Sequence, residues 1–185
     1  MTVAELLEAP CTTMGDLREH IDGLSPASRV AECLALTAAQ QKRLWAMASA
    51  EPATTGVLLP PGSPSAVFAG RNSLRLFTRF EKRFAGSGRA TVGHNNHSLS
   101  WLIGPGYFMV KAGDGRGLLF DYEQVPAQSP PGWPAVARNS GTFARPVYGG
   151  LVDRVEWVSA DVLVGSAYRS DEPLASYFVL ARVLA

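Results

Sequence analysis

The stretch TVGHNNHSLSWLIGPGYF, residues 91–108, carries His94 and His97, two of the 3 histidines in the chain. An imidazole titrates near neutral pH, so it can serve as a general base or as a ligand for a metal or a haem iron. On a helix or in a tight turn, a separation of three residues brings both rings to one ion. On a strand it sends them to opposite faces. A catalytic zinc site needs a third protein ligand. The chain has no His-Glu-x-x-His and no Cys-x-x-Cys pair, and His20 lies in a helical N-terminal part. No metal and no cofactor are therefore expected, with haem held by a histidine as an alternative. The structural reading sets both histidines against backbone groups at a sheet edge.

A second stretch, FDYEQV, places Asp121 and Glu123 on one face of a strand and Phe120 and Tyr122 on the other. Acids on the solvent side of an antiparallel sheet are ordinary. Turned into a barrel, they would be buried carboxyls with raised pKa. The candidate catalytic set is His94 or His97 as base and Asp121 or Glu123 as acid or orienting group. Tyr107 or Tyr122 would donate to a developing oxyanion. Asn96, Trp101, Tyr107, Tyr122 and Tyr148 are the candidate ligand-binding residues, since aromatics with a polar tip suit a mostly apolar pocket. The chain has no Gly-x-Gly-x-x-Gly before a helix, no P-loop and no Gly-x-Ser-x-Gly elbow.

These residues need elements to hold them. Residues 1–50 read as a helical front. TVAELLEA is a short helix stopped by Pro10, and Met14, Leu17, Ile21 and Leu24 recur at helical spacing. Ser25 followed by Pro26 is a helix start, and Thr37 caps a further helix. Residues 51–66 hold four prolines and form a connector. Residues 67–185 form a β-rich body within one domain spanning 1–185. Within it, 74–85 reads as helix or strand. The spacing of Leu76, Phe77, Phe80 and Phe84 favours the helix narrowly, with Arg75, Arg79, Lys82 and Arg83 on its solvent face or, as the rarer reading, forming a clamp for an anionic ligand. In the strand reading, Lys82 interrupts an apolar face. KAGDGRG between apolar runs predicts a hairpin joining 107–110 to 118–122. Gly104-Pro105-Gly106 predicts a sharp turn or bulge between SWLI and YFMV. Residues 124–146 form a long Pro/Gly loop suited to a lid or rim. VYGGLVDRVEWV, the run after SAD, and SYFVLARVLA read as three further strands.

The fold class expected is α+β: N-terminal helices packed on an antiparallel, barrel-like sheet. The order of elements, ending in YFVLARV, resembles the lipocalin-like, calycin-type barrels over roughly residues 90–185. The Gly-x-Trp of the first lipocalin strand is missing, and Gly132-Trp133 lies in a Pro-rich loop. The resemblance implies a barrel that holds one small apolar ligand. A few such barrels act as cofactor-free cyclases or isomerases.

Composition bounds the rest. The chain has 185 residues, 46% of them hydrophobic and 18% charged, enough for a core without disulfides. A formal net charge of +1 argues against a broad nucleic-acid or membrane-surface partner. Cys11 and Cys33 form no disulfide framework. MTVAELLEAP lacks a basic n-region and a long apolar stretch, so no signal peptide is expected and the expected location is the cytoplasm. The expected function is binding of a small, largely apolar molecule in the barrel mouth, with simple acid/base chemistry as an extension. The expected partner is that molecule, with a homodimer as a further option. The alternative from another class is an interaction module whose helical front docks a partner. An exposed apolar patch on residues 26–48 would favour it.

Overall fold

The computed structural model describes residues 1–50, 58–74, 78–87, 90–98, 100–113 and 117–184. Four helices come first: α1 (Val3–Glu8), α2 (Met14–Gly23), α3 (Pro26–Ala35) and α4 (Ala38–Ala48). Each starts on a hydroxyl. Thr2, Thr13 and Thr37 close capping boxes with Glu5, Asp16 and Gln40, and Ser25 caps α3 with Pro26 in its first turn.

Eight strands follow: β1 (Ser65–Asn72), β2 (Arg79–Ser87), β3 (Ala90–Asn96), β4 (Tyr107–Ala112), β5 (Leu118–Asp121), β6 (Leu151–Ser159), β7 (Val162–Arg169) and β8 (Glu172–Val183). They close into one antiparallel barrel in sequence order, with β8 returning to pair with β1. Two short helices, α5 (Ser100–Ile103) and α6 (Arg145–Tyr148), lie in the connections. The α+β fold is therefore as the residue pattern predicts. An eight-stranded closed barrel has an interior just wide enough to fill with side chains or to hold one small ligand. Among the described residues, no helix is long and apolar enough to cross a membrane.

Strand alternation builds two cores from one sheet. Outward residues Val162, Val164, Val179 and Ala181, with Val158, pack against Leu7, Leu17, Ile21, Cys33 and Leu44 of the helices. The helices thus cover the outer wall at β6–β8. Arg29 of α3 ties them down: it ion-pairs Asp161 in the β6–β7 turn and donates to Ile21 O at 3.1 Å. Inward residues, among them Phe68, Phe84, Phe108, Phe120, Leu163 and Leu180, fill the barrel. One end is closed by Arg182, which lies over the Phe68 ring at 4.7 Å and pairs with Asp161 at 2.7 Å.

Room for the large rings comes from glycines directly across the ladder. Gly93 faces Phe108 and Gly165 faces Phe178 in register. A Cβ on Gly93 would stand 2.3 Å from the Phe108 ring, and one on Gly165 2.2 Å from the Phe178 ring. Both lie far inside van der Waals contact, so the rings occupy the space that side chains at these positions would take.

Three local expectations are corrected. Residues 79–87 are strand β2, not helix; residues 75–77 lie outside the described residues. The strand prevails because burying Phe80 and Phe84 on one barrel face outweighs a local helical spacing. Lys82 is consequently buried rather than on a solvated face. SWLI is one turn of helix, α5, and leaves Trp101 79% exposed. The start of VYGGLVD is α6, and the strand begins only at Leu151.

The hairpin strands β4 and β5 pair antiparallel as expected, although residues 114–116 of the turn lie outside the described residues. Gly104 and Gly106 adopt φ of 81° and 54°, a conformation only glycine takes readily, and so make the turn into β4. Cys33 is buried among the helices, its thiol pushed up to about 12 by burial.

The long loop between β5 and α6 folds over the outside of β3 and β4. Tyr107 Oη donates to Pro134 O at 2.6 Å. Asn139 is buried and donates to Tyr107 O and Tyr122 O, both at 2.7 Å. Asn139→Leu leaves both carbonyls without this donor. It should cost about 2–3 kcal/mol, since each buried group left unpaired carries its full desolvation penalty. Urea unfolding of the variant against wild type measures this; a loss within the error of the midpoint would show that water replaces the amide.

Candidate functional site

The barrel end opposite Arg182 holds a cavity of about 400 Å³. Its walls are apolar, with Phe80, Ile103, Leu151 and Phe178 among them, and buried polar side chains reach it from three strands. Lys82 comes from β2, Asn95 from β3 and Asp153 from β6, while Tyr122 follows directly on β5. Each projects inward because it occupies the same alternation as the interior aromatics beside it.

Lys82 is the hub. Its Nζ donates to Asn95 Oδ1 at 2.9 Å, to Asp153 Oδ2 at 3.1 Å and to the Tyr122 hydroxyl. Tyr122 in turn donates to Asp153 Oδ2 at 3.1 Å and accepts from Asn95 Nδ2 at 3.1 Å. Five rings surround the ammonium, with centroids from 4.8 Å at Phe108 to 5.6 Å at Phe80. Their electron-rich faces stabilise a cation that water cannot reach.

Burial still dominates. It drives the Lys82 pKa down, against the opposing pull of Asp153. Burial also lifts the Tyr122 hydroxyl well above its ordinary value, with the Asp153 charge acting in the same direction. Burial thus works against the charged form of both groups, favouring loss of the ammonium proton and opposing loss of the phenol proton.

A second polar layer lies nearer the mouth. His97 Nε2 is 3.0 Å from the Tyr148 hydroxyl, and the Tyr148 and Tyr122 rings stack at 5.4 Å with planes 8° apart. Burial pushes the Tyr148 hydroxyl up to about 12. It holds His97 below its ordinary value, and Lys82 adds to this. Leu74, Val147 and Leu174 line the cavity and are also exposed, so the rim is apolar. Arg169 stands at the mouth, where its Nη2 donates to Pro146 O at 3.1 Å and Val147 O at 3.2 Å.

The residues singled out from the sequence divide between the two sides of the wall. His97 and Tyr148 line the cavity, and Tyr122 lies behind it, bonded to Lys82 and Asp153. His94 is one strand position from Asn95 and faces outward. There it packs edge-on against Trp133 at 4.5 Å and against Tyr107 at 5.4 Å. Its Nδ1 lies 3.2 Å from its neighbour's carbonyl oxygen, Asn95 O. Asp121 is on the outer face, paired with Lys111 at 2.6 Å, and its Oδ1 accepts from the backbone N–H of exposed Glu123. Asn96 is exposed and donates to Glu81 at 2.9 Å. Trp101 is exposed on α5. The two histidines thus stand on opposite sides of the wall. Among the described residues, no group of 3 His, Cys, Asp or Glu side chains is placed to hold a metal ion.

Asn95 and Asp153 were not singled out by sequence reasoning as site residues, and Lys82 entered only as one of four basic residues that could clamp an anionic ligand. The available signal was a charge within a period-two apolar face: Phe80, Lys82, Phe84 in one strand and Leu151, Asp153, Val155, Trp157 in another.

The two depressed histidines give a pH prediction. The folded pKa of His94 and of His97 lies below the unfolded value near 6.5, so the unfolded chain binds more protons in this range. Their contribution to stability is full above about 6.5 and is lost as pH falls through that value towards the folded pKa. Urea midpoints should therefore drop between pH 7.5 and pH 5, and His94→Gln with His97→Gln should flatten the drop. An unchanged slope in the double variant would assign the acid sensitivity to other groups.

Comparison of the chain with family models, with curated proteins and with solved structures returns no match.

Proposed function

We propose that the chain binds a small, largely apolar molecule bearing one polar group inside the barrel. The apolar body would lie against Phe80, Leu151 and Phe178, and the polar group would meet the cluster around Lys82. The carrying observation is the pairing of a 400 Å³ apolar cavity with three convergent, buried polar side chains, Lys82, Asn95 and Asp153. Small-ligand sites have this form: about 300–1,000 Å³, mostly apolar, with a few polar groups that fix orientation. An apolar, exposed rim fits entry of such a ligand from solvent. On this reading the barrel is lipocalin-like in use as well as in its order of eight strands.

The same cluster has the parts for cofactor-free proton transfer of the cyclase or isomerase type. His97 and Tyr148 are in contact near the mouth and both line the cavity, while Tyr122 stands behind Lys82 and Asp153 and holds them in place. Asp121, Glu123 and His94 lie outside the wall and have no part in this reading. The docking alternative loses its motive, because the apolar stripe of the helices packs on the barrel. Among the described residues, no large hydrophobic side chain between 26 and 48 is exposed.

Ala167 is an inward residue of the cavity wall, so Ala167→Phe fills the cavity from within. Titration with 1-anilinonaphthalene-8-sulfonate should show saturable binding to wild type. In Ala167→Phe the binding should weaken about tenfold or more, which is at least 1.4 kcal/mol, while cooperative unfolding is retained. Equal binding by the two proteins would place the dye, and the proposed site, elsewhere.

A further inference from the structure

We propose that Lys82 forms an imine with the carbonyl carbon of an aldehyde or ketone ligand, which names the chemical class of molecule the cavity takes. The inference rests on the reading of the cavity as a ligand site and goes beyond it to a covalent step. Lys42, Lys82 and Lys111 are the lysines of this chain, and every other basic side chain except histidine is arginine. Lys42 and Lys111 are exposed, whereas Lys82 is buried in the barrel and lines the cavity. A guanidinium would make a stronger fixed fork to a carboxylate, but it cannot be deprotonated and is no nucleophile. An amine can be both charged partner and nucleophile.

The neighbours supply what the step needs. Asp153 Oδ2 is 3.1 Å from the lysine nitrogen and can take its proton. The free amine attacks the carbonyl carbon, a C–N bond forms, and Asp153 passes its proton to the carbonyl oxygen and takes one from the nitrogen. Asp153 then returns its proton to that oxygen, the C–O bond breaks and one water leaves. The product is a protonated imine facing the Asp153 carboxylate, as the ammonium faced it before. Net charge is unchanged and nothing is oxidised or reduced. The surrounding rings favour the cationic imine as they favour the ammonium, and the desolvation that eases loss of the lysine proton assists the first stage.

The test is reductive trapping of wild-type protein with nonanal and cyanoborohydride at neutral pH, followed by peptide mapping. Lys42 and Lys111 serve as internal references, so no variant has to fold. The Lys82 peptide should acquire the nonyl group about tenfold faster or more than the other two, in line with an activated buried amine. Ala167→Phe should abolish that preference, and prior addition of 1-anilinonaphthalene-8-sulfonate should slow it. Labelling at Lys82 no faster than at Lys42 and Lys111, in protein that binds the dye, overturns the imine and leaves the cavity reading standing. No preference in protein that also fails to bind the dye overturns both.

Discussion

Lys82→Met should destabilise the protein by about 3–5 kcal/mol, the usual result of removing one partner of a buried ion pair. The lysine and aspartate side chains are only 3% and 6% exposed, so water does not replace the lost partner. Asp153 would keep only the Tyr122 hydroxyl, and its carboxylate would be a charge in an apolar barrel. In Lys82→Met/Asp153→Leu most of the stability should return, since an apolar pair of similar volume commonly matches or exceeds a buried ion pair. Asn95 and Tyr122 still satisfy one another at 3.1 Å in that variant. Urea midpoints at a constant m-value measure all three proteins. A double variant as unstable as the single would mean that the cluster has a structural role beyond charge pairing. The same double variant should bind apolar probes at least as well as wild type and be inert to aldehyde trapping, which separates the cavity from its chemistry.

Gly165→Ala should destabilise the barrel wall. The new Cβ would meet three ring atoms of Phe178 at 2.2–2.7 Å, so the ring must shift towards the cavity it lines. Overpacking of this kind costs about 1–3 kcal/mol, and occasionally more; the depth of the overlap places this case at the upper end. Combining it with Phe178→Leu removes the ring that clashes, so the double variant should lose less than the sum of the two single changes. Strict additivity would show that the alanine acts through the backbone rather than through the ring. Because Phe178 lines the cavity, Gly165→Ala should also weaken binding of 1-anilinonaphthalene-8-sulfonate.

Much of the architecture is legible in the residues. The four helices begin where Thr2, Thr13, Ser25 and Thr37 can cap them, and local hydrogen bonding decides such starts. The strands β4–β8 follow apolar runs separated by turn residues, which is again local information. The misread segment, 79–87, carries both a helical and a period-two pattern. Only closure of the barrel decides between them, by pairing β2 with β1 and β3. The histidine-rich stretch drew attention to the right strand but to both sides of it. His94 belongs to an outer aromatic cluster under the loop, while Asn95 and then His97 reach the cavity. A one-residue change of face separates the two outcomes, and it is fixed by register with β2 and β4 rather than by composition.

The site itself was written as two exceptions. Lys82 in the alternation of Phe80 and Phe84, and Asp153 in that of Leu151, Val155 and Trp157, are charges on faces that otherwise go inside. Each alone reads as an interruption of an apolar face. That the two charges are opposite, and that β2 and β6 bring them 3.1 Å apart across the barrel, is tertiary information.

The central claim is that the ligand site is the interior cavity and not the outer wall, the loop or the helices. Intermolecular nuclear Overhauser effects between 1-anilinonaphthalene-8-sulfonate and isotope-labelled protein test it directly. The dye protons should contact the Ala167 methyl and the Phe178 and Leu151 side chains, and the Lys82 ammonium resonance should shift on addition. Contacts confined to Trp133, Trp101 or the helices, with the Ala167 and Phe178 signals unmoved, would contradict it.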